Sequence, residues 1–257
     1  MASELSTSAS SAYSVAQFDD NYPAGMERNY WIYARSQIVT QHIRRIIREG
    51  DLILDIGCGA GVVVDHLVSR GFSCFGVEPG HPTIRYDCSD KIFTGRAISQ
   101  LDSSVRDRAT IVLLLDVLEH VAKPEELLQE VRSYLPHVRH IVVTVPARRE
   151  LWSNYDEYFG HYLRYSPRAL RQLLEDRGFK VSLLEYFFHW LYIPMLLCNL
   201  LARKRTIRNS SPSPRWLHSL LAQICIWDER LLPRWIIGSS LLAICTAKPK
   251  ESADFQP

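Results

Sequence analysis

Between residues 51 and 147, short apolar β-branched runs alternate with stretches whose apolar residues recur every three or four positions. That pattern predicts repeated strand–helix units and a parallel sheet. The runs at 51–56 (DLILDI), 72–77, 91–94, 110–115 (TIVLLL) and 140–145 (HIVVTV) are apolar enough for strands covered by helices on both sides. Helices are expected at 60–71 and 123–135, the second with Pro124 near its start and Leu127, Leu128, Val131 and Leu135 at helical spacing. Another starts at Ser166, whose hydroxyl can cap the free amides, has Pro167 in its first turn and stops at Gly178. Residues 179–187 then read as a strand.

The last third breaks this rhythm. Residues 186–202 (YFFHWLYIPMLLCNLLA) are almost wholly apolar and lead into RKR and a Ser/Pro-rich hinge at 209–214. An amphipathic helix follows at 215–232, and 238–247 can return to the sheet as its last strand. The expected organisation is a disordered Ser-rich tail at 1–14 and a single domain at 15–257, with 186–237 as an apolar helical insertion or cap before the last strand. Residues 186–202 approach bilayer-spanning length, but His189, Pro194 and Asn199 interrupt them and the chain must come back, so no spanning helix is expected. Two readings stay open. One is peripheral membrane association through 186–205, with Trp190, Tyr192, Arg203, Lys204 and Arg205 at the interface. The other is a hydrophobic cap on the active site, packed on its own domain or on a second subunit of a homo-oligomer.

Composition narrows the partners. Thirty basic and 28 acidic residues leave a formal charge of +2, too little to build a field for nucleic-acid phosphates, so no nucleic-acid partner is expected. The six cysteines form no C-x-x-C pair and no zinc-finger spacing, and the first residues lack the basic and apolar regions of a secretory signal, which points to reduced thiols and a cytoplasmic protein.

The chemistry concentrates in LDIGCGAG, residues 54–61, where a buried strand turns into a helix. Gly57, Gly59 and Gly61 let the backbone approach a ligand that a Cβ would exclude. Glu78, about 20 residues on, stands where a carboxylate can accept hydrogen bonds from two ribose hydroxyls. The loop reads G-x-G-x-G, not the G-x-G-x-x-G of pyrophosphate-binding dinucleotide sites, and Asp55 beside it suits a cofactor that carries an ammonium group.

With its acidic residue at the end of the next strand, D-x-G-x-G-x-G resembles the class I S-adenosylmethionine-dependent methyltransferase family. DVLEH, residues 116–120, is similar to the run after strand four in ubiquinone-biosynthesis-like small-molecule methyltransferases. The resemblance implies an α/β fold with a Rossmann-like, doubly wound, mostly parallel seven-stranded sheet bearing helical N-terminal and C-terminal additions, and S-adenosyl-L-methionine as cofactor. It carries contacts to the methionine part of the cofactor onto Leu115 and Asp116, and the grip on its carboxylate onto Arg35, a fork suited to two bonds. Related enzymes place an acid near adenine after strand three. This chain reads Gly95, Arg96, Ala97 there, leaving Ala97 and Ile98 to line the ring.

Methyl transfer needs an aligned acceptor and, for a hydroxyl, a base. His161 is the first candidate and His120 the second, the latter also readable as a structural residue closing its turn or, as the resemblance suggests, as a participant with Glu119 in catalysis or divalent-ion binding. No metal ligand set is assigned. The segment 151–165 (LWSNYDEYFGHYLRY) reads equally as an acceptor lid, with Asp156 and Arg164 supplying polar contacts, and as an aromatic packing layer. It also resembles a bacterial methyltransferase branch found near polysaccharide and lipid pathways. The partner implied is a small-molecule acceptor, methylated on a sugar, lipid-linked or secondary-metabolite hydroxyl, with nitrogen and carbon left open as acceptor atoms. The alternative is a noncatalytic scaffold that binds S-adenosylmethionine without turning it over.

Overall fold

The computed structural model describes residue 18 and residues 22–201, 214–233 and 235–249. The expected tail at 1–14, the basic residues 203–205 and hinge positions 209–213 lie outside them. Seven strands, β1 (Leu52–Ile56), β2 (Cys74–Glu78), β3 (Ile92–Thr94), β4 (Ala109–Leu115), β5 (His140–Pro146), β6 (Phe179–Phe187) and β7 (Ser240–Ala247), form one sheet in the order β3-β2-β1-β4-β5-β7-β6. β1 to β5 pair in parallel, and β7 runs antiparallel between β5 and β6. From β1 the chain winds outward to β3 and then returns to β4 on the other side. The crevice at the carboxyl ends of β1 and β4 is the topological switch point where such sheets bind ligands.

Strand alternation sorts the core into two layers. Leu52, Leu54, Val112, Leu114, Ile141 and Val143 face one side, while Ile53, Ile111, Leu113 and Val142 face the other, and all are buried. Helices α1 (Tyr30–Ile46), α2 (Val62–Val68), α3 (Ser103–Arg106), α4 (Pro124–Tyr134), α5 (Asn154–Tyr158), α6 (Pro167–Asp176), α7 (His189–Leu200) and α8 (Arg215–Leu231) flank it. α4 and α6 cover the first side with Leu128, Val131, Leu170 and Leu174. α1, α2, α7 and α8 cover the second through Ile38, Val64, Leu191 and Ile226. Ser166 caps α6 as expected, its Oγ accepting from Ala169 N at 3.2 Å.

Three boundaries differ from the pattern for physical reasons. α2 starts at Val62 and not at residue 60, because Gly61 takes a left-handed φ of 84° that a helix cannot contain. The insertion begins at Phe188 and not at residue 186: Tyr186 and Phe187 stay in β6, paired with Leu241 and Ser240. β7 starts at Ser240 and not at residue 238.

The insertion is fastened to the rest of the domain by polar contacts that its apolar sequence hid. His189 N donates to Asp228 Oδ2 at 2.7 Å, joining α7 to α8, and Asn199 Nδ2 donates to the carbonyls of Glu150 and Trp152 at 3.1 and 2.8 Å. His42 on α1 is buried with its Nε2 3.1 Å from Glu185 Oε1 on β6 and 3.4 Å from Glu229 Oε1 on α8. Burial lowers the His42 pKa, but the two carboxylates outweigh it and the net shift is upward. The stabilisation from this charged cluster is therefore complete below the ordinary histidine value of 6.5 and is lost as pH rises through the raised value. The melting temperature is expected to fall with rising pH across that window, and His42→Gln to flatten the slope, as followed by circular dichroism.

Candidate active site

The glycine loop leaves β1 with Gly57, Gly59 and Gly61 all at positive φ (71°, 53° and 84°). A Cβ on Gly57 would come within 2.8 Å of Val117 Cγ2, one on Gly59 would overlap the Tyr22 ring, and one on Gly61 would overlap Ile92. Close approach therefore fixes these positions as much as the turn does. Glu78, the last residue of β2, holds the loop: its Oε2 accepts from Gly59 N at 3.0 Å and its Oε1 from Gly80 N at 2.8 Å. Each oxygen keeps a second lone pair for a ligand hydroxyl.

Burial dominates the electrostatics. It pushes Asp55 up to about 7 against the pull of Arg35 and with the help of Glu78, and it raises Glu78 against the loop amides. Asp116 sits just past β4 in a left-handed conformation (φ 58°), which an aspartate tolerates better than most residues. Its backbone N donates to Thr144 O at 2.9 Å, and its Oδ1 accepts from Thr144 Oγ1 at 3.1 Å. Its Oδ2 meets the Arg35 guanidinium, which lies 4.8 Å from the Trp31 ring centroid. Arg35 Nε is buried and bonds to nothing among the described residues.

A second group gathers across the crevice. The 3₁₀ turn Leu118–His120 follows β4, and Tyr162 N donates to Glu119 O at 2.7 Å, bringing the segment after β5 against it. His161 Nδ1 lies 2.9 Å from Asp156 Oδ1. Arg164 grips the same carboxylate with two bonds, Nε to Oδ1 at 2.8 Å and Nη2 to Oδ2 at 3.1 Å. Burial raises the Asp156 pKa, but the His161 bond and the Arg164 charge hold it down at about 2. A carboxylate so ionised can only accept, so His161 Nδ1 carries the proton and Nε2 is the basic atom. His120 stacks edge-on against His161, with centroids 4.5 Å apart, and burial followed by the His161 charge lowers its pKa to about 3. Glu119 is raised well above its usual range by burial and by Asp116. One ligand atom from each of Glu119, His120 and His161 falls within 4.8 Å of the others.

These groups surround one cavity of about 620 Å³. Of the residues named from sequence, Arg35, Gly57, Glu78, Leu115, Asp116, His120 and His161 line it. Asp55 and Gly59 are buried behind them, and Gly61 begins α2. Ala97 is not in the lining; its N donates to Gln100 Oε1, and Ile98 belongs to the core. Arg164 also lines the cavity, with its guanidinium bonded to Asp156 and to the Ala147 carbonyl, whereas Asp156 is fully buried outside the lining and bonded to His161, Arg164 and Ser153 N. The aromatic segment divides its labour: Tyr155 and Phe159 line the cavity, Tyr165 is buried with its hydroxyl on Leu118 O, and Tyr162 faces solvent. Sequence reasoning missed Phe18 and Tyr22 in the wall, while Leu191, Met195 and Cys198 of α7 stand where a cap on the active site would place them. Tyr22 also separates this cavity from a smaller one of about 370 Å³ beside Ala60 and Asp65.

Residues 30–184, more than half the chain, match a family described as a methyltransferase domain. The chain belongs to that family. A ubiquinone biosynthesis O-methyltransferase of Vibrio parahaemolyticus is 22% identical over 99 residues, which are 36% of this chain and 42% of that protein. The methyltransferase thus aligns with less than half the length of that curated relative. Among solved structures, a 1,6-didemethyltoxoflavin N1-methyltransferase of Burkholderia thailandensis with bound S-adenosylhomocysteine has a TM-score of 0.53 at 14% identity, covering 91% of this chain and 85% of its own. A [4+2]-cyclase has a TM-score of 0.50 at 14% identity, covering 86% of this chain and 83% of its own. S-Adenosylmethionine is the cofactor that the resemblance of the glycine loop implies.

The site fits that cofactor: the glycine cradle, the unbonded Arg35 Nε for a carboxylate, and the acids around it for an ammonium and a sulfonium. Gly59→Val is expected to weaken S-adenosylhomocysteine binding at least about 100-fold in calorimetry, since it both fills the cradle and strains a positive φ. Binding by the unaltered protein should weaken as pH falls below about 7, where Asp55 becomes neutral, and Asp55→Asn should remove that dependence.

Proposed function

We propose that the methyltransferase moves the S-adenosylmethionine methyl group to a hydroxyl of a small apolar acceptor, with His161 as general base. The observation that carries this reading is the His161–Asp156–Arg164 chain on the cavity wall. A base held in one tautomer by an ionised carboxylate, itself fixed by a guanidinium, is the arrangement that deprotonates a weak acid on demand.

Bound cofactor supplies an electrophilic methyl on a sulfonium leaving group. Transfer of that methyl to the acceptor oxygen would leave the carbon–sulfur electron pair on sulfur, as S-adenosylhomocysteine. The hydroxyl proton passes to His161 Nε2. Glu78 engages the ribose hydroxyls, Arg35 the carboxylate, and Asp116 with Leu115 the methionine part. Apolar walls from Phe159, Leu191 and Met195 favour a lipid-linked or aromatic acceptor over a bare sugar. The O-methylating relative supports oxygen as the acceptor atom, whereas the toxoflavin enzyme methylates nitrogen on a similar fold.

A second version has a divalent cation held by Glu119, His120 and His161 Nε2 polarise the acceptor oxygen. It is favoured by their close spacing and by the neutral state of His120. Turnover lost on chelation and restored by magnesium or zinc would select it over the metal-free base.

His161→Ala is expected to lower S-adenosylhomocysteine release over a panel of phenolic and lipid-linked alcohols by about 10²–10⁴ while leaving cofactor affinity unchanged. Asp156→Asn should fall between that variant and the unaltered protein. Cofactor binding with no release across the panel would instead assign the chain a scaffold role.

A further inference from the structure

The insertion helices are apolar on two faces, and only one of each is covered. α8 packs Ala222, Cys225 and Ile226 into the core. Trp216, Leu220, Ile224, Trp227 and Leu231 form a second stripe at helical spacing on its opposite side, and all stand in solvent. Trp216 is 66% exposed, Trp227 53%, and Trp235, just beyond the helix, 80%. The neighbouring α7 divides in the same way: Leu191, Met195 and Cys198 wall the cavity, while Ile193, Leu197 and Leu200 are exposed. Outward aromatic and aliphatic rows of this extent are uncommon on a surface that meets only water.

Charge identifies the occupant. Between residues 186 and 239 the acids are Asp228 and Glu229 alone. Both turn inward, Asp228 to the backbone and ring of His189 and Glu229 to His42. The bases of the same stretch are Arg203, Lys204, Arg205, Arg208, Arg215, Arg230 and Arg234. Arg215 and Arg230 are exposed near the two ends of α8, and the Arg230 guanidinium lies 5.5 Å from the exposed Trp227 ring centroid. The outer face therefore combines tryptophans and aliphatic side chains with the exposed Arg215 and Arg230.

We infer that this face docks on an anionic phospholipid bilayer, with α8 lying in the plane of the interface. Tryptophan settles at the headgroup level, and arginines beside it meet lipid phosphates. A second copy seated on the same face would bring two basic rims together, which disfavours an isologous dimer there. Among the described residues no helix is long and apolar enough to cross a membrane, so the contact is interfacial. The face differs from the one the sequence suggested. Trp190 turns inward, its indole donating to Cys225 Sγ at 3.3 Å, and the Tyr192 hydroxyl donates to Glu150 Oε1 at 3.0 Å. Docking stands on this geometry alone. Its consequence, that an acceptor with an alkyl tail enters the cavity from the bilayer past α7, rests on the methyl transfer proposed above.

The test is flotation of the full chain with vesicles of phosphatidylcholine, alone or with about 30% phosphatidylserine. The protein should rise with the anionic vesicles only, with a blue shift in tryptophan emission, and should detach as salt increases. A Trp216→Ser/Trp227→Ser variant should partition at least about tenfold less, with an unchanged melting temperature and unchanged S-adenosylhomocysteine binding. Absence of flotation on anionic vesicles, or equal flotation of the variant, would overturn the inference. So would a dimer in sedimentation that the variant dissociates, since the face would then belong to a second copy. Methyl transfer to a water-soluble acceptor, measured on the same proteins, separates failure of docking from failure of the catalytic reading.

Discussion

Four carboxylates, Asp55, Glu78, Asp116 and Glu119, crowd the carboxyl edge of the sheet, and the cation set among them is Arg35. Like charges buried together must be countered or give up their ionisation. Here both happen: Asp55 rises to about 7 and Glu119 climbs well above its ordinary range, while Asp116 pairs with Arg35. The arrangement waits for positive charge. A pyrophosphate would be repelled from such a site, whereas an ammonium and a sulfonium are drawn in. A cation bound beside these acids would let them ionise again, so the strand ends favour an ammonium or a sulfonium over a pyrophosphate as much as the glycine loop does.

That balance makes the rest of the molecule answer to α1. Arg35 reaches Asp116 only if α1 lies across the switch point, and α1 is held there from behind by the insertion. His42, about two turns further along, is the point at which β6 and α8 close on α1 through Glu185 and Glu229. α7, joined to α8 through His189 and Asp228, supplies the apolar wall of the cavity. One insertion thus braces the helix that carries the cofactor-side arginine and shapes the acceptor side. Losing its packing would be felt at both ends of the site.

Much of this was legible in the sequence because it is local. The alternation of apolar runs located all seven strands to within two residues, and Glu78 and the three glycines came from spacing along one strand–turn–helix unit. What was hidden depends on distance along the chain. Nothing near Tyr22 announces that its ring will lie against Gly59, 37 positions away. The inward turn of Trp190 is equally silent, because an apolar helix with two buried-looking faces does not say which one meets the core. Asp156 and Arg164 were read as acceptor contacts since both are polar and adjacent to the aromatic residues. Burial decides the matter for Asp156: a carboxylate with no exposure must spend its bonds inside the protein, and His161, Arg164 and Ser153 supply the donors.

The likeness to a [4+2]-cyclase limits what the fold itself can say. A sheet of this topology with a cofactor crevice is compatible with chemistry that transfers no methyl group, so the argument for transfer has to come from groups facing the acceptor. The oriented His161 is such a group. Its tautomer is set by Asp156, Asp156 is set by Arg164, and Arg164 Nη1 in turn donates to the Ala147 carbonyl just past β5. His161 is thereby tied to the sheet edge that also presents Asp116 through Thr144. In the proposed reaction the cofactor side and the acceptor side are then referenced to the same strand, the kind of shared anchor that in-line displacement calls for.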